Sequence, residues 1–225
     1  MSELTYIDLK QCILDDNAGV ADEVRRLTEQ KHILLWNVMS SPGAGKTTFL
    51  IEVIRCMKDT LRFGVVEGDI ESTVDAEKMQ ALGVPTVQLR TGGDCHLDAS
   101  MVMKALQSLP LDELDVVVIE NIGNLVCPAE FDLGADLPSM LLSVPEGDDK
   151  AIKYPLMFSV CQALVVTKTD TLELFDFDME ALQRNVHRLN ADMRIFPLSA
   201  KRGDGMEAFC TFLQQRVETK TKNKN

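Results

Sequence analysis

Ser40-Ser41-Pro42-Gly43-Ala44-Gly45-Lys46-Thr47-Thr48 decides the fold of this 225-residue chain. The apolar run Ile33 to Met39 before it reads as a buried strand, and Thr48 to Lys58 after it reads as a helix. Strand, tight glycine turn and helix N-terminus in that order make an anion site. Loop N–H groups surround a phosphate while the helix dipole faces it. Pro42, Gly43, Ala44, Gly45, Lys46, Thr47 and Thr48 are therefore the expected binding loop of a nucleoside triphosphate. Lys46 reaches the outer phosphates and the Thr47 hydroxyl ligates Mg²⁺. One position departs from the usual pattern: Ser40 stands where glycine commonly opens the loop, so the turn must be entered with ordinary backbone angles.

Outward from this loop, short apolar runs alternate with helical patterns. Strands are expected at Ile33–Met39, Arg62–Glu67, Thr86–Leu89, Leu114–Ile119, Ser139–Val144, Ala163–Thr167 and Met193–Leu198. Helices are expected at Thr47–Lys58, Thr73–Leu82, Leu97–Ser108, Asp178–Leu189 and Gly205–Val217. Near-continuous apolar strands separated by helices predict an α/β fold of the P-loop NTPase kind, with a mostly parallel sheet covered on both faces. Three regions follow. Residues 1–31 form an N-terminal extension, with an amphipathic helix from Asp15 to Lys31 expected to precede the core rather than belong to it. Residues 32–217 form the nucleotide domain, and 218–225 a polar, disordered tail. Asn121 to Asp136 has weak periodicity and reads as a long functional loop.

Composition excludes several roles. The chain has 23 Lys and Arg against 35 Asp and Glu, a formal charge of −12, which argues against a broad nucleic-acid footprint. No apolar run approaches the ~20 residues that span a bilayer, and Met1 to Lys10 lacks the build of a signal peptide. A soluble cytoplasmic protein without membrane or nucleic-acid partners is expected. Six cysteines are scattered without a CxxC pair; Cys12, Cys56, Cys161 and Cys210 read as small buried hydrophobes.

Two segments bear on the base. Ala163-Leu164-Val165-Val166 leads into Thr167-Lys168-Thr169-Asp170, where the aspartate can accept hydrogen bonds from N1–H and the 2-amino group of guanine while the lysine stem packs on the ring. Adenine offers no such donor pair. Thr167 replaces the asparagine usual there, and its hydroxyl is expected to brace neighbouring loops only in part. The run ending in Ser199-Ala200-Lys201 is similar to the Ser-Ala-Lys loop of GTP-binding proteins, so GTP is expected over ATP. For Mg²⁺ and hydrolysis, strand-end carboxylates point into the nucleotide crevice. Asp69 and Glu120 are the first choices beside Thr47, with Asp75 as a further candidate for positioning water or metal.

A second chemistry sits apart from the first. Cys95 and His96 lie side by side before a helix, whose N-terminus is expected to lower the thiol pKa. Cys127 follows Glu120 by seven residues. Cys, His and Cys make an S/N set for Ni²⁺ or Zn²⁺ that leaves one position open or requires a second subunit. The wording of these segments is distinctive: Val66-Glu67-Gly68-Asp69, Cys95-His96-Leu97-Asp98-Ala99, Glu120-Asn121-Ile122-Gly123-Asn124-Leu125-Val126-Cys127-Pro128-Ala129, Phe131-Asp132-Leu133-Gly134 and Glu146-Gly147-Asp148-Asp149-Lys150. From about Asn37 to Phe212 the chain resembles the HypB-type GTPases, accessory proteins that help insert nickel into [NiFe]-hydrogenases.

That resemblance implies a dimerising SIMIBI-class GTPase, with GTP or GDP and Mg²⁺ at the phosphate loop and Ni²⁺ or Zn²⁺ at Cys95, His96 and Cys127. It implies a GTP-dependent homodimer, nickel-carrying maturation proteins and a nickel-enzyme client as partners. The chain lacks the histidine-rich stretch or N-terminal cysteine cluster of many members, so one transferable metal per subunit is expected rather than storage. Since Glu120 and Cys127 share one loop, GTP binding or hydrolysis that reorders Asn121–Val126 must move a metal ligand, and the coupling must be reciprocal. Two rivals remain: a small-molecule or nucleoside kinase, for which no Arg-rich lid is visible, and a nucleotide-dependent metal-binding scaffold.

Overall fold

The computed structural model describes residues 9–69 and 79–222, with side chains from 13–68 and 79–222. Along the chain run α1 (Leu9–Lys31), β1 (Leu34–Ser40), α2 (Lys46–Met57), β2 (Phe63–Asp69), β3 (Thr86–Arg90), α3 (Ala99–Leu106) and β4 (Val116–Glu120). Then come α4 (Cys127–Glu130), β5 (Leu137–Ser143), α5 (Lys150–Lys153), α6 (Pro155–Val160), β6 (Ala163–Thr167), α7 (Met179–Leu189), β7 (Arg194–Pro197) and α8 (Met206–Lys222). Seven strands form one sheet in the order β3-β2-β4-β1-β5-β6-β7. Every pairing is parallel.

β1 lies at the centre and is buried along its whole length. Alternation sends Trp36 and Val38 to the face covered by α2 and α8, and Leu35 and Met39 to the other. On the first face Trp36 stacks near Phe49 of α2 and Phe209 of α8, with centroids 6.0 and 5.3 Å away. The indole N–H of Trp36 donates to Ser139 Oγ at 2.6 Å, so a large core ring carries no unmet donor. This cluster fixes α2, and with it the helix end that the phosphate loop needs.

The expected strands are all present, their ends within two residues of expectation. Three expectations are corrected. The N-terminal helix belongs to the core: Ala21, Val24 and Thr28 are fully buried and Val24 packs with Leu35, Val117 and Ile119. Asn17 clamps it by donating to Asp132 O at 2.8 Å and accepting from Ala99 N at 2.8 Å. Polar Asn17 and Thr28 on the buried stripe made the helix look solvated. The segment 121–136 contains a helical turn, α4, begun by Cys127-Pro128, since proline suits a first turn. The tail expected to be disordered continues α8 to Lys222 because Lys220 meets Asp136 at 2.6 Å, largely shielded from water. Arg216 also donates to Asp136 O at 3.0 Å. The expected helix Thr73–Leu82 falls partly outside the described residues, as do Asp75 and the side chains of Cys12 and Asp69.

Gly134 shows how tightly α1 docks. With φ +74°, an added Cβ would lie 2.5 Å from Ala21 O and 2.9 Å from Val24 Cβ. Gly134→Ala is expected to destabilise the fold by about 1–3 kcal/mol through backbone strain and overpacking. A urea unfolding midpoint unchanged from wild type would show that α1 is not packed in this way.

Candidate functional site

The phosphate loop closes between β1 and α2 on two left-handed glycines, Gly43 at φ 75° and Gly45 at φ 97°. No side chain caps α2. By contrast α3 and α7 are capped by Asp98 and Asp178. The first N–H groups of α2 therefore point at the loop without a protein acceptor from a cap, which suits an anion. Ser40 is fully buried and is not among the positive-φ residues, so the loop is entered with ordinary angles as expected. Its hydroxyl accepts from the Lys46 ammonium at 3.0 Å and donates to Ser41 O at 2.6 Å. The serine thus holds the lysine over the loop. Ser41 in turn donates to the Glu146 carboxylate. The other oxygen of Glu146 accepts from Ser143 N at 2.8 Å and Ser143 Oγ at 2.6 Å.

Across the loop, Thr47 Oγ1 donates to Glu120 Oε1 at 2.8 Å. Glu120 ends β4 and is 3 % exposed; Glu67, its register partner on β2, is also 3 % exposed. Register partners on neighbouring strands project from the same face, so a second nearly dehydrated carboxylate stands on the face of the one that meets the threonine hydroxyl. Such hard oxygens suit Mg²⁺. Sequence reasoning preferred Asp69 to Glu67, although the Glu67-Gly68-Asp69 stretch carried both. Asp69 closes β2 opposite Arg90.

A cavity of about 310 Å³ opens beside the loop, between Ala44–Gly45, Lys168–Asp170 and Ser199–Lys201. Thr167 Oγ1 donates to Ala44 O at 2.7 Å, so the threonine does brace the phosphate loop from β6. Lys168, held at φ 58°, donates to Gly43 O at 2.8 Å and lays its stem along the cavity. Asp170 accepts from Ser199 Oγ at 2.6 Å. That hydroxyl, with Arg202 and Lys201 nearby, holds the carboxyl below the usual carboxylate range. The two guanine-type segments, distant in sequence, thus share one wall.

The second centre lies at the same end of the sheet. Ligand atoms of Cys95, His96 and Cys127 all fall within 4.8 Å of one another. The two sulfurs are 3.0 Å apart, and His96 Nδ1 is 3.8 Å from Cys95 Sγ. His96 stacks on Phe131 at 3.8 Å, a contact that orients the ring and that nothing in the spacing announced. Two thiols and an imidazole favour soft or borderline cations and leave a coordination position open. The expected lowering of the Cys95 pKa is overturned: its hydrogen bond with Cys127 raises it. The helix cap is Asp98, so Cys95 sits too far ahead of α3 to feel its dipole strongly. The remaining cysteines divide: Cys161 is buried and burial pushes its thiol far up, Cys210 is half-buried, and Cys56 is exposed rather than buried as expected.

The loop that joins the two centres rests on the phosphate loop. A Cβ on Gly123 would come within 2.9 Å of Pro42 N and 3.0 Å of Pro42 Cα, so the loop from Glu120 to Cys127 lies directly on the phosphate loop. Here glycine is required by close approach rather than by backbone angles.

Known proteins resemble this chain over most of its length. The model of the CobW/HypB/UreG nucleotide-binding domain matches residues 34–197. The hydrogenase maturation factor HypB of Escherichia coli K12 is 39% identical over 214 residues, which is 95% of this chain and 74% of the relative. The hydrogenase/urease maturation factor HypB of Helicobacter hepaticus is 40% identical over 214 residues, 93% of this chain and 88% of the relative. The crystal structure of HypB from Helicobacter pylori in complex with nickel superposes with a TM-score of 0.87 at 39% identity, covering 91% of this chain and 96% of that one. Matches of this extent, spanning the phosphate loop and both thiol-bearing segments, make the chain a HypB-type member of the CobW/HypB/UreG family of nucleotide-hydrolysing P-loop proteins.

Proposed function

We propose that this protein hydrolyses GTP to GDP and phosphate and couples that cycle to delivery of nickel into a nickel enzyme, [NiFe]-hydrogenase maturation fitting best. One observation carries the reading: the loop that begins at Glu120, hydrogen-bonded to Thr47, ends at Cys127, 3.0 Å from Cys95. Nucleotide state and metal geometry therefore share seven residues of chain. The relatives named as hydrogenase maturation factors, and the relative crystallised with nickel, support the same assignment.

Lys46 meets the charge of the β- and γ-phosphates, and the backbone of Pro42–Gly45 surrounds them. Thr47, Asp69 and Glu120 would hold Mg²⁺, with Glu67 on the strand next to Glu120 and Asp75 positioning water or metal. Bound there, the cation neutralises phosphate charge. Asp170 reads the guanine N1–H and 2-amino group, Lys168 covers the ring, and the Ser199-Ala200-Lys201 segment closes the base pocket. No arginine lies in the Ser40–Thr48 loop, so basal turnover is slow. Cys95, His96 and Cys127 hold Ni²⁺ as cargo; the same set accepts Zn²⁺. The open coordination position is consistent with a GTP-dependent homodimer that exchanges metal with nickel-carrying maturation proteins. Cytoplasmic action fits a described chain in which no helix is long and apolar enough to cross a membrane.

Metal analysis of protein purified without chelator, run beside phosphate release from GTP, tests the reading; absence of either nickel binding or GTP hydrolysis would overturn it. Lys46→Ala is expected to abolish hydrolysis while leaving the far-UV circular dichroism spectrum intact, and hydrolysis within a few-fold of wild type would remove the loop from the mechanism. Asp170→Asn is expected to cost GTP affinity about 1.5–3 kcal/mol through lost charge-assisted hydrogen bonds. It should also admit xanthosine triphosphate, whose ring carbonyl replaces the guanine amino donor; unchanged affinity for both nucleotides would refute the base assignment. Cys127→Ala is expected to weaken Ni²⁺ binding more than about tenfold, or 1.4 kcal/mol. It should also erase any difference in metal affinity between GDP and a non-hydrolysable GTP analogue. Equal affinity in both states for wild type would disprove the coupling.

A further inference from the structure

Asn124 lies between the two chemistries and ligates neither. Its Oδ1 accepts from Val126 N at 2.9 Å, and its Nδ2 donates to Cys95 O at 3.3 Å. Val126 immediately precedes Cys127, so one short amide spans the two segments that carry the sulfurs, with cysteines 32 residues apart in sequence. The flanks of this amide are pinned. Ile122 and Leu125 are buried at 6 % and 7 % exposure, and Gly123 rests on Pro42. The side of the loop that faces solvent is represented by Val126, half-exposed at 50 %. The bond to Val126 N is an Asx turn that leads into α4, whereas the bond to Cys95 O crosses to the other segment and serves no local turn.

A carboxamide is a poor ligand for a soft cation, but as a donor to the Cys95 carbonyl it fixes the backbone that carries the sulfur. Partners of this kind typically change metal affinity by about 10–100-fold. We propose that Asn124 is the positioning residue of the thiol centre, its amide setting the separation of Cys95 from Cys127 while leaving the ligand set unchanged. The proposal rests on the reading of that centre as the nickel site.

The test titrates Ni²⁺ into the full chain with GDP bound, following the thiolate-to-nickel absorption band. Asn124→Ala removes both hydrogen bonds and is expected to weaken Ni²⁺ binding by about tenfold or more and to shift the band, with Cys95 and Cys127 still ligands. Asn124→Asp keeps the acceptor for Val126 N and loses the donor toward Cys95. It therefore retains the loop turn, and is expected to fail as Asn124→Ala does; its thermal unfolding midpoint serves as the check on folding. An Asn124→Asp variant with wild-type affinity and band would reduce Asn124 to a turn residue and overturn the proposal, even where Asn124→Ala does not fold. Wild-type protein that binds no Ni²⁺ would bring down the functional reading and this proposal together. Wild-type protein that binds Ni²⁺ and hydrolyses GTP, beside unaltered Asn124 variants, would bring down this proposal alone.

Discussion

Contact between the phosphate loop and the ends of its neighbouring strands is the constraint on which the rest of the structure depends. The loop is one tight turn, yet it receives a bond from Thr167 at Ala44, one from Lys168 at Gly43, a close backbone approach from Gly123 at Pro42, and passes one to Glu146 from Ser41. In a parallel sheet the C-terminal strand ends gather at one edge, and β1 is central, so these segments converge on it from both sides. Each contact uses a main-chain carbonyl, hydroxyl or small residue of the loop. The loop N–H groups and the uncapped end of α2 are thereby left for a ligand.

This local electrostatics runs against the whole. A chain of formal charge −12 repels a nucleotide at long range. Salt screens that field beyond about 8–10 Å. Within the site Lys46, Lys168 and Lys201 surround the cavity and phosphate loop, and the helix end adds its partial positive charge. The buried Glu67 and Glu120 supply the opposite need, hard oxygens for a divalent cation. Charges of both signs are thus sorted over a few residues at the edge of the sheet.

The thiol centre is built differently. Its ligands come from the segment ahead of α3 and from the first residue of the short turn α4, not from a strand. Its geometry depends on what holds the loops: Phe131 under His96, Asn124 between Cys95 and Val126, and the turn α4 that presents Cys127. A site on loops can move when its supports move.

Much of this protein is legible in its residues. Alternation of apolar runs and helical patterns located the strands, because a strand buried on both faces must be apolar throughout. Ser40–Thr48 announced its chemistry because a phosphate loop is local, and Thr167–Asp170 and Ser199–Lys201 are equally local. The wording around Cys95 and Cys127 pointed to the HypB-type family that the comparisons establish. What failed did so where distant partners decide the outcome. The amphipathic pattern of α1 did not reveal that its stripe closes the second face of the sheet, since Asn17 finds partners at Asp132 and Ala99. The lysine-rich end of α8 looked disordered because Asp136, its partner, is far away in sequence. Glu67, Phe131, Gly123 and Asn124 lie in the segments that carry the family resemblance, yet each acquires its own role only from what the fold sets beside it. The sequence by itself determined the strands, the turn and the ligand types, because those follow from period, glycine and side-chain chemistry. Only the tertiary structure decided that the loop leading to the thiol centre packs on the nucleotide loop, because that contact arises from strand order, which no local pattern encodes.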